Sequence, residues 1–451
     1  MKIEKILPTP FALAIVLSVL SIILALVFTS SPAEENHFLN ILGYWENGIW
    51  NNALLVFAYQ MMLILVLGHI LALSKPIQKL LDVLTSFVNS TSTAVIWVSF
   101  FTLIVAFFNW GLGLIFGALL VRKIGEKAAK EGFSLNYPLL GAAGYVGMMA
   151  WHGGISGSAP LKAAEDNHLQ SLFTEQKWIQ LGSSLPDSIP TSATIFSTEN
   201  LLVYALLILI IPFTLWILAK RNSSNSTTIY NRFQEEKMEL DKSKTHMLES
   251  SDWVGTLFGG LLLVAFVVSY SNNIVNLNIT PNMLNFFMLG LGFVLHRNVF
   301  QFKIALSEAI RGAGGILIQF PLYFGIMGIM KDSGLVSEIA IFFSSVANES
   351  FLPIITFLSA GLVNIFVPSG GGQWAIQGPI ALESGIKLGI SIPKMIMALA
   401  YGDQITNMLQ PFWALPLLAI TKLKAHEIFK YTLVLFLVGS LVFIAGLLFI
   451  Y

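Results

Sequence analysis

The chain has 451 residues, 55% hydrophobic and 11% charged, with a mean hydropathy of +0.75. A soluble domain carries about 25% charged residues, so this composition belongs to a polytopic membrane protein. Formal net charge is zero and cysteine is absent; nucleic-acid binding has no support, and disulfides, thiolate metal sites and a cysteine nucleophile are excluded.

Lys2 and Lys5 precede an apolar run at 11–29. That run is longer than a signal-peptide core and predicts a retained first span. A second span follows at 52–73, ending before Lys75 and Lys79. The loop between carries Glu34, Glu35 and Glu46 but no Lys or Arg, so the N-terminus is expected in the cytoplasm. A short interfacial helix is expected at 80–89. Residues 93–121 are apolar, yet Arg122, Lys123, Lys127 and Lys130 follow them. Both flanks are then cytoplasmic, and one segment cannot leave and return. The reading is a re-entrant hairpin with its tip near Asn109-Trp-Gly-Leu-Gly113. Residues 137–151 then cross outward and break at His152-Gly-Gly-Ile-Ser-Gly-Ser-Ala-Pro160.

Residues 161–199 are polar and expected outside, with a proline-rich stretch at 185–197. A span at 201–219 leads back. Residues 220–253 hold 12 of the chain's 50 charged residues, six of each sign, and form a solvated cytoplasmic linker between two halves. Spans are expected at 255–271, 283–295 and 312–330, and a second interfacial helix at 335–347. A second hairpin spans 351–385. Its tip reads Asn364-Ile-Phe-Val-Pro-Ser-Gly-Gly-Gly-Gln-Trp-Ala-Ile-Gln-Gly-Pro379, where three glycines and Pro368 break the helix. A broken crossing at 394–420 and a last span at 431–451 complete the chain.

The halves repeat. Shifting the first by 256 places Ala142, Tyr145, Pro160, Leu161 and Ala163 on Ala398, Tyr401, Pro416, Leu417 and Ala419. Asn109 falls within a residue of Asn364. Interfacial helix, hairpin and broken helix recur in that order, and the charge map puts the hairpins on opposite sides. The expected fold is therefore an all-α polytopic membrane protein with an inverted repeat, two re-entrant hairpins and two broken transmembrane helices. Its parts are scaffold helices at 1–73 and 200–330, transport repeats at 74–165 and 331–428, an external segment at 166–199 and a last helix at 429–451.

Irregular backbone at membrane depth is tolerated only where protein buries it or where it lines a wet cavity. The substrate-binding candidates are therefore the polar groups at the tips and breaks: Asn109, His152, Ser156, Ser158, Asn364, Ser369, Gln373 and Gln377, with the backbone of Gly370, Gly371 and Gly372. Asp403 is an intramembrane carboxylate, a functional candidate by default. With Thr406 and Asn407 it is the candidate site for a coupling ion, Na⁺ or H⁺; no other cofactor is expected. Glycine-rich breaks expose N–H groups at half-helix N-termini, which attract anions. No Lys or Arg lies deep in either repeat, which favours a small monocarboxylate over a dicarboxylate.

Three motifs resemble a known family: Ser369-Gly-Gly-Gly-Gln-Trp-Ala-Ile-Gln-Gly-Pro379, Trp151-His-Gly-Gly-Ile-Ser-Gly-Ser-Ala-Pro160 and Ile189-Pro-Thr-Ser-Ala-Thr-Ile-Phe-Ser197. Together they resemble the short-chain fatty acid transporter family (AtoE type), within the broader ion-transporter superfamily. The resemblance implies uptake of acids such as acetoacetate or butyrate across a bacterial inner membrane, and the broader superfamily is one whose members often use an elevator motion; a homodimer is a candidate assembly that the resemblance does not decide. Two alternatives compete. One is a transporter of another organic anion such as a dicarboxylate. The other is an intramembrane serine protease, since Gly154-Ile-Ser-Gly157 matches a G-x-S-G nucleophile pattern and needs a histidine at the serine.

Overall fold

The computed structural model describes residues 9–31, 35–173, 185–221, 247–275 and 280–451. Most of the linker at 220–253, Glu34, the two N-terminal lysines and part of the 166–199 segment lie outside the described residues. The described residues form helices and connecting turns, with no strand among them. Among the described residues six helices are long and apolar enough to cross a membrane by length and composition. The protein is an all-helical, multi-pass membrane protein.

The first helices are α1 (Pro10–Phe28), α2 (His37–Ile49) and α3 (Asn52–Leu73). The last coincides with the sequence expectation because Asn51 caps it, accepting the Leu54 N–H at 3.1 Å. α2 was expected as a loop; its apolar and polar residues alternate at helical spacing, and Gly48 packs it against a later helix at 324–328.

Helices α4 (Lys75–Thr85), α5 (Thr91–Phe108) and α6 (Trp110–Glu131) follow. α5 and α6 are the legs of the first hairpin. They part at Asn109, whose extended backbone stops α5 and whose Oδ1 caps α6 through the Leu112 N–H. Gly132, at φ 77°, ends α6 in the left-handed conformation. Then come α7 (Tyr137–Tyr145), short 3₁₀ turns at Val146–Met149 and Trp151–Gly153, and α8 (Ser158–Ala163). The first crossing thus breaks at 146, earlier than the sequence reading placed it. The segment after residue 185 does not hang free. Ile189 donates to the Ala163 carbonyl at 2.7 Å, and Leu185, Thr194 and Ile195 are buried.

Next are α9 (Thr198–Arg221), α10 (Asp252–Val275, kinked at Tyr270), α11 (Pro281–His296), α12 (Val299–Ala309) and α13 (Gly314–Asp332). α12 was not foreseen. The second half then repeats the element order of the first: α14 (Leu335–Ser345), hairpin legs α15 (Leu352–Phe366) and α16 (Gly370–Lys387), α17 (Ile392–Ile405), a 3₁₀ turn at Thr406–Met408, and α18 (Leu415–Thr421). α19 (Ala425–Phe449) ends the fold. Residues 370–372 are not the break itself. Ser369 Oγ caps them by accepting the Gly372 N–H at 3.3 Å, so the glycines form the first turn of α16.

Close helix approach depends on small residues, as expected where lipid supplies no hydrophobic drive between helices. A Cβ on Gly402 would lie 2.1 Å from the Phe357 carbonyl oxygen, and one on Gly117 would lie 2.2 Å from that of Gly144. Both neighbours are backbone and cannot swing aside. Arg122 on α6 is partly buried, at 12% side-chain exposure, although the sequence suggested no deep cation in either repeat. It donates to Glu126 at 2.8 Å and to Glu308 of α12 at 3.1 Å, and its Nη1 lies 2.6 Å from His69 Nε2 of α3. Its charge is spent on this network.

Two outcomes follow. Gly402→Ala should destabilise by about 1–3 kcal/mol or more, the usual cost of overpacking, seen as a lower melting temperature in detergent. His69 and the Arg122 guanidinium hold the Glu308 carboxyl below its usual range. A depressed carboxyl stabilises above its unfolded value and loses that contribution as pH falls through the folded one. Melting temperature should therefore drop on acidification below about pH 4, and Glu308→Gln should flatten that drop.

Candidate functional site

The two breaks meet. His152 and Asp403 are buried, at 0% and 1% exposure, and His152 Nδ1 lies 2.5 Å from Asp403 Oδ2. The other ring nitrogen, Nε2, accepts the Ala159 N–H at 2.9 Å. A nitrogen that accepts carries no proton, so the neutral ring holds its proton on Nδ1 and donates it to the carboxylate. Trp151 stacks on the imidazole with centroids 4.5 Å apart. Gln404 Oε1 accepts the N–H groups of His152 and Gly153 at 2.7 and 3.3 Å. These are backbone donors that the break strips of helical partners.

A second polar cluster lies beside this pair. Asn364 Nδ2 donates to Thr406 Oγ1 at 2.9 Å and to Asn407 Oδ1 at 3.0 Å. Asn407 Nδ2 donates to the Met148 carbonyl, Tyr145 Oη to the Asn407 carbonyl and Gln410 Nε2 to the Asn364 carbonyl. Asn364 thus ties the second hairpin to the second break, and Asn407 and Tyr145 tie that break to the first.

The structure distributes the remaining sequence candidates differently. Asn109 caps α6, and Ser156 Oγ accepts the Trp110 N–H at 3.0 Å. The Ser156 bond holds the first tip to the first break, whereas the Asn109 bond lies within the tip. Among the described residues Ser156 makes no hydrogen bond to a histidine, and both ring nitrogens of His152 are engaged elsewhere. Gln373 Nε2 bonds the Ala360 carbonyl and Gln377 Oε1, and Gln377 Nε2 bonds Ser359 Oγ. The two glutamines strut the legs of the second hairpin together and do not border the cavity described next. Among the described residues no group of three or more His, Cys, Asp or Glu could hold a metal ion.

Ser158, Ser369, Gly370 and Gly371 do share a cavity of about 230 Å³. A single water needs about 10–15 Å³ on the same measure, so a molecule of several heavy atoms fits. Trp110 of the first tip, Trp151 of the first break, and Phe412 and Trp413 of the second break form an aromatic wall. Phe57 of α3 and Phe324 of α13 close it from the other helices. No residue lining it is charged. Its polar face consists of the two serines and the first-turn N–H groups of Gly370 and Gly371, which have no intrahelical acceptor. The Trp151 indole N–H is buried and has no partner among the described residues. The aromatic wall escaped the sequence reading because its members are scattered over three elements and look like ordinary membrane core. A second cavity, of about 170 Å³, borders Gln410 and His426 behind the second break and contains none of the sequence candidates.

A multi-pass helical protein with an internal cavity enclosed by hairpin tips and broken helices is built as a membrane transporter. The family profile described as "Short chain fatty acid transporter" matches residues 1–450. Two curated proteins, each named "Putative short-chain fatty acid transporter", are similar over 454 aligned residues, which cover 99% of this chain and 97% of theirs. That of Escherichia coli (strain K12) is 35% identical and that of Haemophilus influenzae (strain ATCC 51907 / DSM 11121 / KW20 / Rd) 33%. The chain belongs to the short-chain fatty acid transporter family. The solved structure of the Alcanivorax borkumensis YdaH transporter aligns with 97% of this chain and 98% of its own, at 14% identity and a TM-score of 0.42, a likeness too distant to bear on the fold.

The tip glycines are not equivalent. A Cβ on Gly370 would lie 2.7 Å from His152 Cε1 and 2.9 Å from the Trp151 ring, whereas one on Gly371 would meet nothing nearer than Ser158 at 3.9 Å. Gly370→Ala should displace the tip from the histidine and lower both stability and transport. Gly371→Ala should leave the melting temperature unchanged.

Proposed function

We propose that the protein takes up short-chain monocarboxylates, of the class of acetoacetate and butyrate, across the bacterial inner membrane by cation symport. The N-terminus is cytoplasmic in this reading, from the Lys and Arg distribution. The observation that carries the substrate class is the uneven chemistry of the cavity. One face offers hydroxyls and helix N-terminal N–H groups, which suit one carboxylate. The opposite face is aromatic, which suits a short hydrocarbon chain. Family membership supports the same class. A dicarboxylate would bring a second charge against tryptophan and phenylalanine with no cation to meet it. The partly buried Arg122 does not help, since its network lies with α3 and α12, away from the lining residues.

The two hairpin–break units, 74–165 and 331–428, carry the cavity in this reading, and the remaining helices form the scaffold against which they slide. Each tip is tied to a break by the bonds of Ser156 and Asn364, so a unit that moves takes the polar face of the cavity with it.

Uptake of labelled butyrate and acetoacetate into proteoliposomes tests the reading. Ser369→Ala and Ser158→Ala should each weaken half-saturation roughly ten- to hundredfold, since a hydrogen bond to a charged group is worth about 1.5–3 kcal/mol. Gly371→Leu should fold normally but fill the cavity and abolish uptake. Full uptake by Gly371→Leu would place the substrate elsewhere.

A further inference from the structure

We propose that the coupling ion is a proton and that it binds Asp403 on Oδ1, the carboxylate oxygen that His152 leaves free. The proposal rests on the uptake reading above and deepens it. His152 is not the acceptor. Its Nδ1 is engaged with Asp403 and its Nε2 accepts the Ala159 N–H. A proton on Nε2 would face that N–H donor to donor. Asp403 Oδ1 is buried and has no partner among the described residues. The same holds for Gln373 Oε1. Gln373 lies one turn beyond Gly370, which packs on the imidazole, and its Nε2 holds the carbonyl of Ala360, whose Cβ abuts Gly402. The buried pair keeps one bare acceptor, Asp403 Oδ1, and what it lacks is a donor. A proton delivered from hydronium in the aqueous phase onto Oδ1 turns the carboxylate into a carboxylic acid, releases the carrier water, supplies that donor and disturbs none of the hydrogen bonds named above. The charge on the pair goes from minus one to zero.

A sodium ion fits worse. It needs several free oxygens, and of the side-chain oxygens of the second break only Asp403 Oδ1 and Gln410 Oε1 lack a partner among the described residues. Thr406 Oγ1 and Asn407 Oδ1 accept from Asn364, and the carbonyls of Asn364 and Asn407 accept from Gln410 and Tyr145. The amide groups of Asn364, Asn407 and Gln410 fill the cluster with N–H donors. Other titratable groups around the pair are Tyr145 and Tyr401, whose hydroxyls donate to Asn407 and Asn200. Glu199 stands at the start of α9, and Lys162 of α8 is paired with Glu165. No ion pair other than that with His152 reaches Asp403 among the described residues.

Coupling follows from the position of the cavity. Gly370 lines it and touches the imidazole. A substrate carboxylate held at the Gly370 and Gly371 N–H groups would lie close to the Asp403 charge and be repelled by it. Protonating Asp403 removes the like charge, so proton and monoanion each favour binding of the other, reciprocally.

The test uses the purified full chain in proteoliposomes with labelled butyrate. Butyric acid crosses lipid unaided, so uptake is the excess over protein-free vesicles. An inward proton gradient without Na⁺ should drive accumulation, and a Na⁺ gradient at uniform pH should not. Asp403→Asn should lose the accumulation while exchange of internal for external butyrate stays measurable. Independently of any substrate, infrared difference spectra of the wild type should show a protonated-carboxyl band on acidification that Asp403→Asn lacks. Na⁺-driven accumulation at uniform pH, wild-type accumulation by Asp403→Asn, or an unchanged band in that variant overturns the proposal. If Asp403→Asn does not fold, the two gradients on the wild type decide alone. A band that depends on Asp403 in a protein that fails to exchange butyrate would sink the substrate reading and leave the proton site standing.

Discussion

Unwound backbone at membrane depth must find hydrogen-bond partners inside the protein, and this chain places four such interruptions there: two tips and two breaks. An unsatisfied backbone group in hydrocarbon costs several kcal/mol. The structure meets that cost by mutual supply. Gln404 of the second break takes the N–H groups of the first, and Asn407 of the second break donates to Met148 of the first. Tyr145, just before the first break, returns a hydroxyl to the Asn407 carbonyl. The first tip and the first break exchange bonds the same way: Ser156 takes the Trp110 N–H, and the Phe107 carbonyl beside the tip accepts the Ile155 N–H at 2.7 Å. Neither break can be stable alone. The two halves of the chain are obliged to meet, and the cavity is the space between the places where they do.

This dependence explains which parts of the fold were legible in the sequence. Hairpins and breaks were visible because Asn, Ser, Gly and Pro inside apolar runs have no other reason to be there. Helix ends were visible where a cap residue stands at the boundary, as with Asn51 and Asn109. Asp403 stood out because an isolated carboxylate in a span is costly. What stayed hidden was the pairing. His152 and Asp403 are 251 positions apart, and neither periodicity nor spacing links them. The roles of Gln373 and Gln377 were hidden for a related reason: an amide at a tip reads the same whether it faces a substrate or the opposite leg of its own hairpin. Helices α2 and α12 were missed because a charge-based reading treats any segment with polar residues between spans as a loop.

Arg122 illustrates a further limit of charge counting. It follows the apolar leg of the first hairpin and reads as a topogenic charge, which marks a side of the membrane. In the structure its side chain is inside, its charge compensated by Glu126 and by Glu308 from more than 180 residues away. Glu126 and Glu308 are 32% and 34% exposed, so water screens these pairs and they are weak evidence for stability. What they do supply is a tie between α6 and α12 through the Arg122–Glu308 bond.

The separation of charge from cavity has a chemical consequence. All strong charges among the described residues near the breaks are neutralised by one another or lie outside the lining. The cavity is left with dipoles only: two hydroxyls, first-turn N–H groups and, among the described residues, an unpartnered indole N–H. Dipoles bind a single carboxylate weakly enough to release it, whereas a buried arginine would hold it in a bidentate grip. A transporter must let go of its cargo on the far side, so affinity that does not change between the two sides is of no use to it. The His152–Asp403 pair sits behind the tip glycine and outside the lining, where its charge can alter the strength of those dipolar contacts without itself contacting the substrate. A site of modest, adjustable affinity is the design that this arrangement of residues supports.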